Sequence, residues 1–374
     1  MNQLRERREQ LGLSQGELAR QAEITRQAVS SIESNAYLPT TAVALKLASV
    51  LGCRVEDLFR LAQAEDVLEG TLVGALPAPP PGTSIRVKVS TVGKRTIVRA
   101  LTSLGEVLSF TVPADGLLVG GEHRSGGVVS VQLSRDRRAI EQEISVAGCD
   151  PAIFLAGEHL RRQKAHSSVV GWSMGSMAAL QALHRGEVHV AGLHLVDPAT
   201  GESNLPYLRR FLRTKNVEVV TFAAWEEGLL VRPGNPKSVR GISDLALPSV
   251  KVVNREEGSG ARLLLDQRLR AEGIDPRIVE GYDRIVWSHV EVARAVATHQ
   301  ADAGVGTRSA AQLLGLDFVP LQVARYDLVV PKSLLKSHPT LVHLFDTLAS
   351  RSFRAEIGAL EGYDTTDTGK RHAL

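Results

Sequence analysis

The chain has 374 residues, of which 43% are hydrophobic and 23% are charged, so it is long enough for two or three domains that each bury a core. Aromatic residues make up only 4% of the chain, which argues against a protein built on aromatic stacking platforms. The formal net charge of +3 neither requires nor excludes a nucleic-acid partner, because a basic face can be local.

The cysteine pattern and the apolar pattern exclude several classes of protein. Cys53 and Cys149 lie far apart and lack the close spacing of a cysteine zinc site, and two cysteines do not make a disulfide framework. The N-terminal residues contain no apolar run typical of a signal peptide, and no stretch approaches the roughly 18 apolar residues of a membrane span. We therefore expect a cytoplasmic protein without a membrane segment.

Residues 1–64 have the pattern of short helices separated by tight turns. Ser14 and Glu17 form a capping box that opens a second helix, and Thr25 caps a third helix that runs to Glu33. Two short helices joined by a tight turn, the second with polar residues at its start, predict a helix-turn-helix DNA-binding domain. A helical protein-interaction module is the alternative.

The pattern LSQGELARQAEITRQAVSSIE followed by ALKLASVLGCRVEDLF resembles the phage-repressor (Cro/C1, XRE) family of DNA-binding domains. The resemblance implies phosphate contacts from Gln15 and Asn35 and base contacts from the start of the third helix. In chemical terms, Arg26 suits guanine and Gln27 suits adenine. The full set of predicted DNA-binding residues is Gln15, Thr25, Arg26, Gln27, Ala28, Ser31 and Asn35.

The charge of this N-terminal region bears on how it binds DNA. Residues 1–62 hold eight Lys and Arg against seven Asp and Glu, which leaves a net charge of only +1. A single copy with so little positive charge is expected to bind DNA weakly. We therefore predict a homodimer on palindromic double-stranded operator DNA.

Residues 65–136 form a predicted linker and small β-rich module. The proline-rich stretch LPAPPPG at 76–82 is a stiff, extended break. Residues 84–134 are rich in valine, glycine and threonine, and their alternating runs predict five or six short strands in a small sheet or barrel. No chemistry is assigned to this module.

Residues 137–374 alternate strands and helices in the manner of an α/β domain. A strand, a turn of small polar residues and a helix occur in succession twice, with the turns at Gly171–Ser176 and at Gly258–Gly260. Stretches of similar composition at 228–236 and 325–331 predict two crossover strands. Two lobes joined by two crossover strands predict a clamp that binds its ligand between the lobes.

This region resembles the periplasmic-binding-protein-like (type II) domain that occurs in cytoplasmic regulators and beside molybdopterin-synthesis domains. The resemblance rests on segments such as GEVHVAGLHLVDPATGESN, VNREEGSGARLLLD and VARAVATHQADAGVG. It implies a small anionic ligand, either an oxyanion such as molybdate or tungstate or a related pathway metabolite.

Hydroxyl groups and free backbone N–H groups at helix N-termini can hold an oxyanion with few formal charges nearby. Arg262 has the alternative of pairing with a neighbouring glutamate, and Tyr326 has the alternative of packing. The predicted ligand-binding residues are Ser173, Gly175, Ser176, Gly258, Ser259, Gly260, Arg262, Ser288 and Tyr326.

An α/β-hydrolase is the alternative function, because Gly-Trp-Ser-Met-Gly at 171–175 resembles a nucleophile elbow with Ser173 as the nucleophile. Asp302 and His338 follow in the required order. However, no HGGG-type oxyanion loop precedes the elbow in residues 140–168, and aromatic residues that bind ester substrates are scarce. We therefore predict a regulator and no enzyme.

The histidine spacing predicts no metal site. His184, His189 and His194 recur every five residues, but a helix ends and a strand begins between them, so they cannot share a helical face. The sequence predicts no cofactor either. The resulting hypothesis is a one-component transcription regulator with a helix-turn-helix head, a β-rich module and a two-lobed sensor domain.

Overall fold

The structure, a computed structural model, describes residues 3–34, 36–59, 66–74, 76, 84–104, 106–164, 167–212 and 216–374. By its internal contacts the chain divides into a unit of residues 1–66 and a unit of residues 67–374. Asn35 and the prolines at 77 and 79–81 lie outside the described residues.

The first unit is helical, and its helices begin where the sequence predicts. The Ser14 side chain accepts a hydrogen bond from the backbone N–H of Glu17. In return, the Glu17 side chain accepts a hydrogen bond from the backbone N–H of Ser14. Leu4, Leu18 and Ile32 are fully buried in the core between the helices. The helices are α1 Leu4–Gln10, α2 Gln15–Gln21, α3 Arg26–Glu33, α4 Thr41–Val50 and α5 Val55–Leu58.

The second unit begins with a closed five-stranded barrel in the order β1-β3-β2-β4-β5. Its first strand precedes the proline-rich stretch, in a segment where the sequence predicts a linker. Valines from alternate strand positions fill the barrel, because successive side chains of a strand point to opposite faces. The strands are β1 Val67–Leu72, β2 Ile85–Val92, β3 Arg95–Ala100, β4 Gly116–Gly121 and β5 Val128–Leu133, with helix α6 Glu106–Thr111 between β3 and β4 and helix α7 Arg137–Glu141 after β5.

A buried ionic cluster joins the barrel to the domain that follows. The ammonium of Lys88 on β2 lies 2.8 Å from Asp115 and 2.7 Å from Glu143, and all three residues are buried. Arg135 also pairs with both carboxylates. Since Glu143 begins the first strand after the barrel, the barrel belongs to the same compact unit as the two lobes. The division of this unit near residue 136 into a module and a sensor stays a prediction.

The remaining chain forms two α/β lobes around one continuous sheet, as the sequence predicts. The sheet has the order β11-β10-β12-β9-β13-β8-β6-β7. The first lobe contains β6 Glu143–Gly148, α8 Ile153–Gln163, β7 Ser168–Ser173, α9 Ser176–His184, β8 Val190–Leu193 and α10 Leu205–Phe211. Its strands β6, β7 and β8 are parallel, and most of their residues are buried. This burial is typical of a parallel sheet that is covered on both faces.

Two long antiparallel strands, β9 Val217–Val231 and β13 Asp317–Pro331, pair along their whole length and run through both lobes. They are the two predicted crossovers. Each begins earlier in the chain than the sequence pattern indicates, and β9 ends at Val231, before the predicted end at residue 236. Between them lies the second lobe, with β10 Val252–Arg255, α11 Gly260–Ala271, β11 Ile285–Val286, α12 His289–Ala297, β12 Ala303–Thr307 and α13 Arg308–Leu313.

The C-terminal segment returns to the first lobe. It consists of α14 Lys332–Ser337, α15 Pro339–Ala349, α16 Arg351–Gly358, β14 Tyr363–Asp364 and β15 Arg371–His372. Both short strands pair with β9, and α15 and α16 pack on α8. Within the described ranges no helix combines the length and apolarity needed to cross a membrane.

Candidate ligand cavity and DNA-binding surface

A cavity of about 950 Å³ lies between the two lobes of the second unit. The first lobe contributes residues at the C-terminal ends of β6 and β7, among them Cys149 and Ser173. The second lobe contributes the starts of α12 and α13, with His289 and Thr307. The cavity therefore lies where the carboxyl ends of the parallel strands meet the following helices, the usual ligand position in open α/β sheets.

The β-rich module supplies part of the cavity wall. The chain leaves strand β3 into a short 3₁₀ helix, Leu101–Leu104, and Thr102 and Ser103 from it face the cavity together with Leu108 of α6. The sequence assigned this module no role. Its contribution to the wall could not be predicted, because it depends on how the barrel docks on the first lobe.

The cavity is acidic. Asp150, Glu291 and Glu361 lie among the described residues that line it, whereas no lysine or arginine does. Asp150 is buried at the start of α8, where its Oδ1 accepts hydrogen bonds from the backbone N–H of Ala152 and from the hydroxyl of Tyr363. Burial raises the pKa of Asp150 to about 6.

Aromatic rings form one wall of the cavity. Trp225 on β9 and Tyr326 on β13 stack with ring centroids 4.8 Å apart and an interplanar angle of 28°. Burial raises the pKa of the Tyr326 phenol well above its usual value, so this hydroxyl is neutral. Phe154 and Trp287 add further apolar surface. A flat or apolar molecule would contact this wall favourably.

A buried polar cluster lies beside these rings. Cys149, His194 and His289 each place one potential metal-ligand atom within 4.8 Å of the others. The Nδ1 of His194 lies 2.6 Å from Oε1 of Glu227, an ion-pair distance, although the contact does not have hydrogen-bond geometry. All four residues are buried, and both ring nitrogens of His289 lack a hydrogen-bond partner.

The two histidines of this cluster have opposite pKa shifts. Burial by itself lowers the pKa of His194, but the neighbouring Cys149 and Glu227 outweigh it and raise that pKa to about 10. The pKa of His289 falls well below its usual value, because of burial and the positive charges of Arg255 and His194. His289 is therefore a neutral imidazole at physiological pH, the form that binds metals.

The DNA-binding surface predicted from the sequence lies on the helical unit. Thr25 caps α3, and its Oγ1 accepts a hydrogen bond from the backbone N–H of Ala28. Thr25, Arg26 and Gln27 are exposed, while Ala28 and Ser31 are partly buried.

Gln15 has an internal partner that the sequence did not predict. Its Nε2 donates to Glu33, and Arg8 pairs with the same carboxylate at 2.6 Å. Asn35 lies outside the described residues, so its predicted phosphate contact stays a prediction.

Comparison with known proteins assigns both units. The family model described as a PBP superfamily domain matches residues 157–349, and the model described as helix-turn-helix matches residues 4–58. The chain belongs to the PBP superfamily. Its N-terminal unit is a helix-turn-helix domain of the XRE type, which confirms the resemblance drawn from the sequence.

Two curated relatives match these two units. The uncharacterized protein YvgK from Bacillus subtilis is 35% identical over 227 residues, which is 61% of this chain and 72% of YvgK. The uncharacterized HTH-type transcriptional regulator YgzD from the same organism is 37% identical over 60 residues, which is 16% of this chain and 91% of YgzD. A solved tungstate ABC transporter protein from Geobacter sulfurreducens is similar with a TM-score of 0.45 and 14% identity, covering 58% of this chain and 98% of that one.

Three of the predicted ligand-binding residues line the cavity of the PBP-superfamily domain. Ser173 is exposed at the end of β7, Ser288 caps α12, and Tyr326 belongs to the aromatic wall. The Ser288 hydroxyl accepts the backbone N–H of Glu291, so one of its lone pairs is already used.

The two predicted turns face each other, but they pack in direct contact and leave the cavity to one side. The Ser176 hydroxyl accepts the backbone N–H of His194, and the Ser259 hydroxyl accepts that of Arg262 while donating to Glu256. Both serines are fully buried. Each hydroxyl is hydrogen-bonded within its own lobe, and neither serine lines the cavity.

The other predicted residues of these turns also have structural surroundings. Gly175 packs on Ser259, and Gly258 packs on Met177. Gly260 lies against the ring of His194, next to the polar cluster. Arg262 pairs with Asp266 at 3.0 Å and lies over the ring of Tyr282 at 4.1 Å, so neither predicted glutamate partner is used.

The hydrolase alternative finds no support in the geometry. Ser173 lines the cavity, but neither Asp302 nor His338 is among the residues that do. Asp302 pairs with Arg232 at 2.8 Å and also accepts the backbone N–H of Lys251. The His338 ring packs on His189, with their centroids 4.8 Å apart.

The sequence reasoning missed Cys149, His194 and His289 as a group. A signal for two of them exists, since Cys149 directly follows strand β6 and His194 directly follows strand β8. Residues at the carboxyl ends of parallel strands meet at one edge of a sheet. His289 comes from the other lobe, and only the closure of the lobes brings it to the pair.

Proposed function

We propose that the protein is a transcription regulator that binds operator DNA through α3 and senses a small molecule in the cavity between its lobes. The acidic, aromatic cavity of about 950 Å³ is the observation that carries the sensing part. Ligand sites of this size, largely apolar with a few polar groups, are typical of small-molecule recognition. The exposed Arg26 and Gln27 at the start of α3 support DNA binding.

The cavity walls favour a ligand with a flat or apolar body and a neutral or positively charged polar group. Asp150, Glu291 and Glu361 would repel an anion, and no lysine or arginine among the described lining residues would offset them. The stacked Trp225 and Tyr326 offer a flat contact surface. The neutral or cationic group would hydrogen-bond to Asp150, whose Oδ2 is buried without a partner.

Molybdate or tungstate is the second candidate ligand. The N-terminus of the nine-residue helix α12 reaches the cavity, and the hydroxyls of Ser173 and Thr307 lie on its wall. Backbone N–H groups and hydroxyls of this kind bind tetrahedral oxyanions without charged side chains. The volume far exceeds a single oxyanion, so this candidate requires closure of the lobes or ordered water.

A thermal-shift screen distinguishes the two ligand classes. The panel contains molybdate, tungstate, sulfate and phosphate on one side and heteroaromatic amines on the other, and we expect the amines to raise the melting temperature. Ser173→Phe places a ring on the cavity wall and should abolish the shift. Ser249→Phe places the same ring at an exposed serine outside the cavity and should not. A shift with oxyanions alone would refute the amine ligand.

DNA binding is tested with a randomised operator library. Arg26 suits a bidentate contact to guanine. Arg26→Ala should therefore reduce the binding free-energy difference between guanine and the other bases at one operator position by about 1–3 kcal/mol. Arg20→Ala, an exposed change on α2, is the matched control and should leave the preference intact. Equal losses on every sequence for Arg26→Ala would contradict base reading by this residue.

A homodimer on a palindromic operator is part of the proposal. The small positive charge of residues 1–62 supports it, because two copies double the phosphate contacts. Light scattering with size-exclusion chromatography should give twice the monomer mass of 40.3 kDa. Footprinting should then show two half-sites about one helical turn apart.

A further inference from the structure

We propose that Cys149, His194 and His289 form a binding site for a transition-metal ion of the Zn²⁺ type on the wall of the ligand cavity. The three side chains come from three separate strand-to-helix junctions, and one potential ligand atom of each lies within 4.8 Å of the others. Among the described residues this is the group of histidine, cysteine and carboxylate side chains whose potential ligand atoms lie close enough together to hold a metal ion.

The donor set selects the class of ion. A thiolate with two imidazoles suits Zn²⁺, Cu⁺ and Co²⁺, whereas Mg²⁺ and Ca²⁺ require oxygen ligands. Tetrahedral Zn–S and Zn–N bonds put ligand atoms about 3.4–3.6 Å apart. Small side-chain rotations would close the spacing from at most 4.8 Å to this value.

The unpaired nitrogens of His289 are a second, independent indication of a ligand. His289 is only 6% exposed, and neither ring nitrogen has a hydrogen-bond partner. A buried polar group without a partner costs about 1–3 kcal/mol, so native proteins avoid it unless something else binds there. A metal ion between Cys149 and His289 supplies a partner for one of these two nitrogens.

Glu227 has the position of a residue that orients a metal ligand. Its Oε1 lies 2.6 Å from Nδ1 of His194, and its Oε2 accepts a hydrogen bond from Gln322. Histidine ligands commonly give their second ring nitrogen to a carboxylate, which fixes the ring and makes it a better donor. In this arrangement Nε2 of His194 is the nitrogen that binds the ion, and on binding it releases the proton that the raised pKa of this ring retains at neutral pH.

The cavity gives the ion an open coordination position. Cys149 and His289 line the cavity, while His194 is not among its lining residues. Three protein ligands with a fourth position directed to a cavity are typical of zinc sites that bind water or a small molecule. That the sensed molecule coordinates this ion rests on the proposed function, whereas the metal site itself does not.

The site is tested on the full chain after removal of metals with a chelator under reducing conditions. Co²⁺ is titrated in the absence of DNA and of any organic ligand, and the absorption spectrum is followed. We expect a thiolate-to-cobalt charge-transfer band and tetrahedral d–d bands that Zn²⁺ bleaches. The absence of both bands would overturn the proposal, and it would leave the DNA-binding and cavity results unaffected.

The two cysteines of the chain provide a matched pair of variants. Cys149→Ser should abolish the charge-transfer band, and Cys53→Ser, in the helical unit, should retain it. His289→Asn should weaken Co²⁺ binding at least about tenfold, and Glu227→Gln by about 10–100-fold. A Cys149→Ser spectrum like that of the wild type, or loss of the band in Cys53→Ser, would refute the assignment.

A measurement on the unaltered protein covers the case in which a variant does not fold. Zn²⁺ should protect Cys149 from alkylation, read out by peptide mass mapping, while Cys53 stays as reactive as without metal. Equal modification of Cys149 with and without Zn²⁺ would overturn the proposal.

Discussion

Gly175 and Ser259 bring the turns of the two lobes into contact. A Cβ at Gly175 would lie 3.0 Å from the Cβ of Ser259 and 2.7 Å from Oε1 of Glu256. Met177, two residues later, donates its backbone N–H to the carbonyl of Gly258. The two turns are thus close-packed, and this contact sets how near the lobes approach beside the cavity.

Gly175→Ala should therefore push the turns apart and destabilise the domain. The added methyl meets the Cα of Ser259 as well as side-chain atoms, so backbone must move, at a cost of about 1–3 kcal/mol. Urea denaturation measures the change. Gly241→Ala is the matched control, because nothing lies within 4 Å of its Cβ position, and it should change stability by less than about 0.5 kcal/mol. Equal effects would show that the turn contact contributes nothing.

Lys88→Met should destabilise the second unit strongly. The substitution puts an apolar side chain of similar size in place of the ammonium and leaves the buried carboxylates of Asp115 and Glu143 with Arg135 as their remaining cation. Removing one partner of a buried ion cluster typically costs about 3–5 kcal/mol. Chemical denaturation gives the value, and Lys94→Met, at an exposed position, should be close to neutral.

The stability of the second unit should fall as the pH decreases from 6.5 to 4 through His189. Its Nδ1 accepts the backbone N–H of Ser145 and its Nε2–H donates to the carbonyl of Thr91, so the folded ring is neutral. Burial and the neighbouring His338 lower the pKa of His189 to about 4.

The sign of this effect follows from the two pKa values. Above pH 6.5 both the folded and the unfolded forms are neutral, and His189 adds no pH dependence. Below it the unfolded form takes up a proton that the folded form does not, so stability decreases until about pH 4. Denaturation curves at several pH values should show a flatter profile for His189→Gln than for the wild type. Parallel profiles would contradict this role.

Gln15→Ala should lower the stability of the helical unit as well as its affinity for DNA. Its amide donates to Glu33 at 2.8 Å, and the same carboxylate pairs with Arg8. Losing one hydrogen bond to a charged group should cost about 1.5–3 kcal/mol of stability. The melting transition of the helical unit, followed in the full chain, measures this loss of stability. Gln27→Ala, a change at an exposed position, is the control. A pure phosphate contact would leave the melt unchanged.

The local structure was largely predictable from the sequence. The capping box at Ser14 and the cap at Thr25 place α2 and α3, because these motifs depend on residues only three positions apart. The valine-rich alternation predicts the barrel strands, although β1 lies in a segment assigned to a linker. The repeated strand–turn–helix pattern predicts the two lobes and their crossovers.

The candidate site was predictable only in part. The sequence predicts that the turns at Ser176 and Ser259 face each other with the ligand between them. In the structure the turns pack in direct contact, and the two hydroxyls accept hydrogen bonds from the backbone N–H groups of His194 and Arg262. Whether a serine is a cap or a free ligand depends on neighbours that approach from other segments. The sequence therefore predicts the turn but not the use of its hydroxyl.

Short-range rules thus determined the helix-turn-helix unit, the presence of a β-rich module and the two-lobed class of the sensor domain, since caps and hydrophobic periods act over a few residues. The tertiary structure alone decided what faces the cavity. Cys149, His194 and His289 are separated by 45 and 95 residues and share no period, and they meet because β6, β8 and α12 converge when the lobes pack. Long-range packing also placed the barrel against the first lobe, where Lys88 reaches Glu143 and Thr102 reaches the cavity.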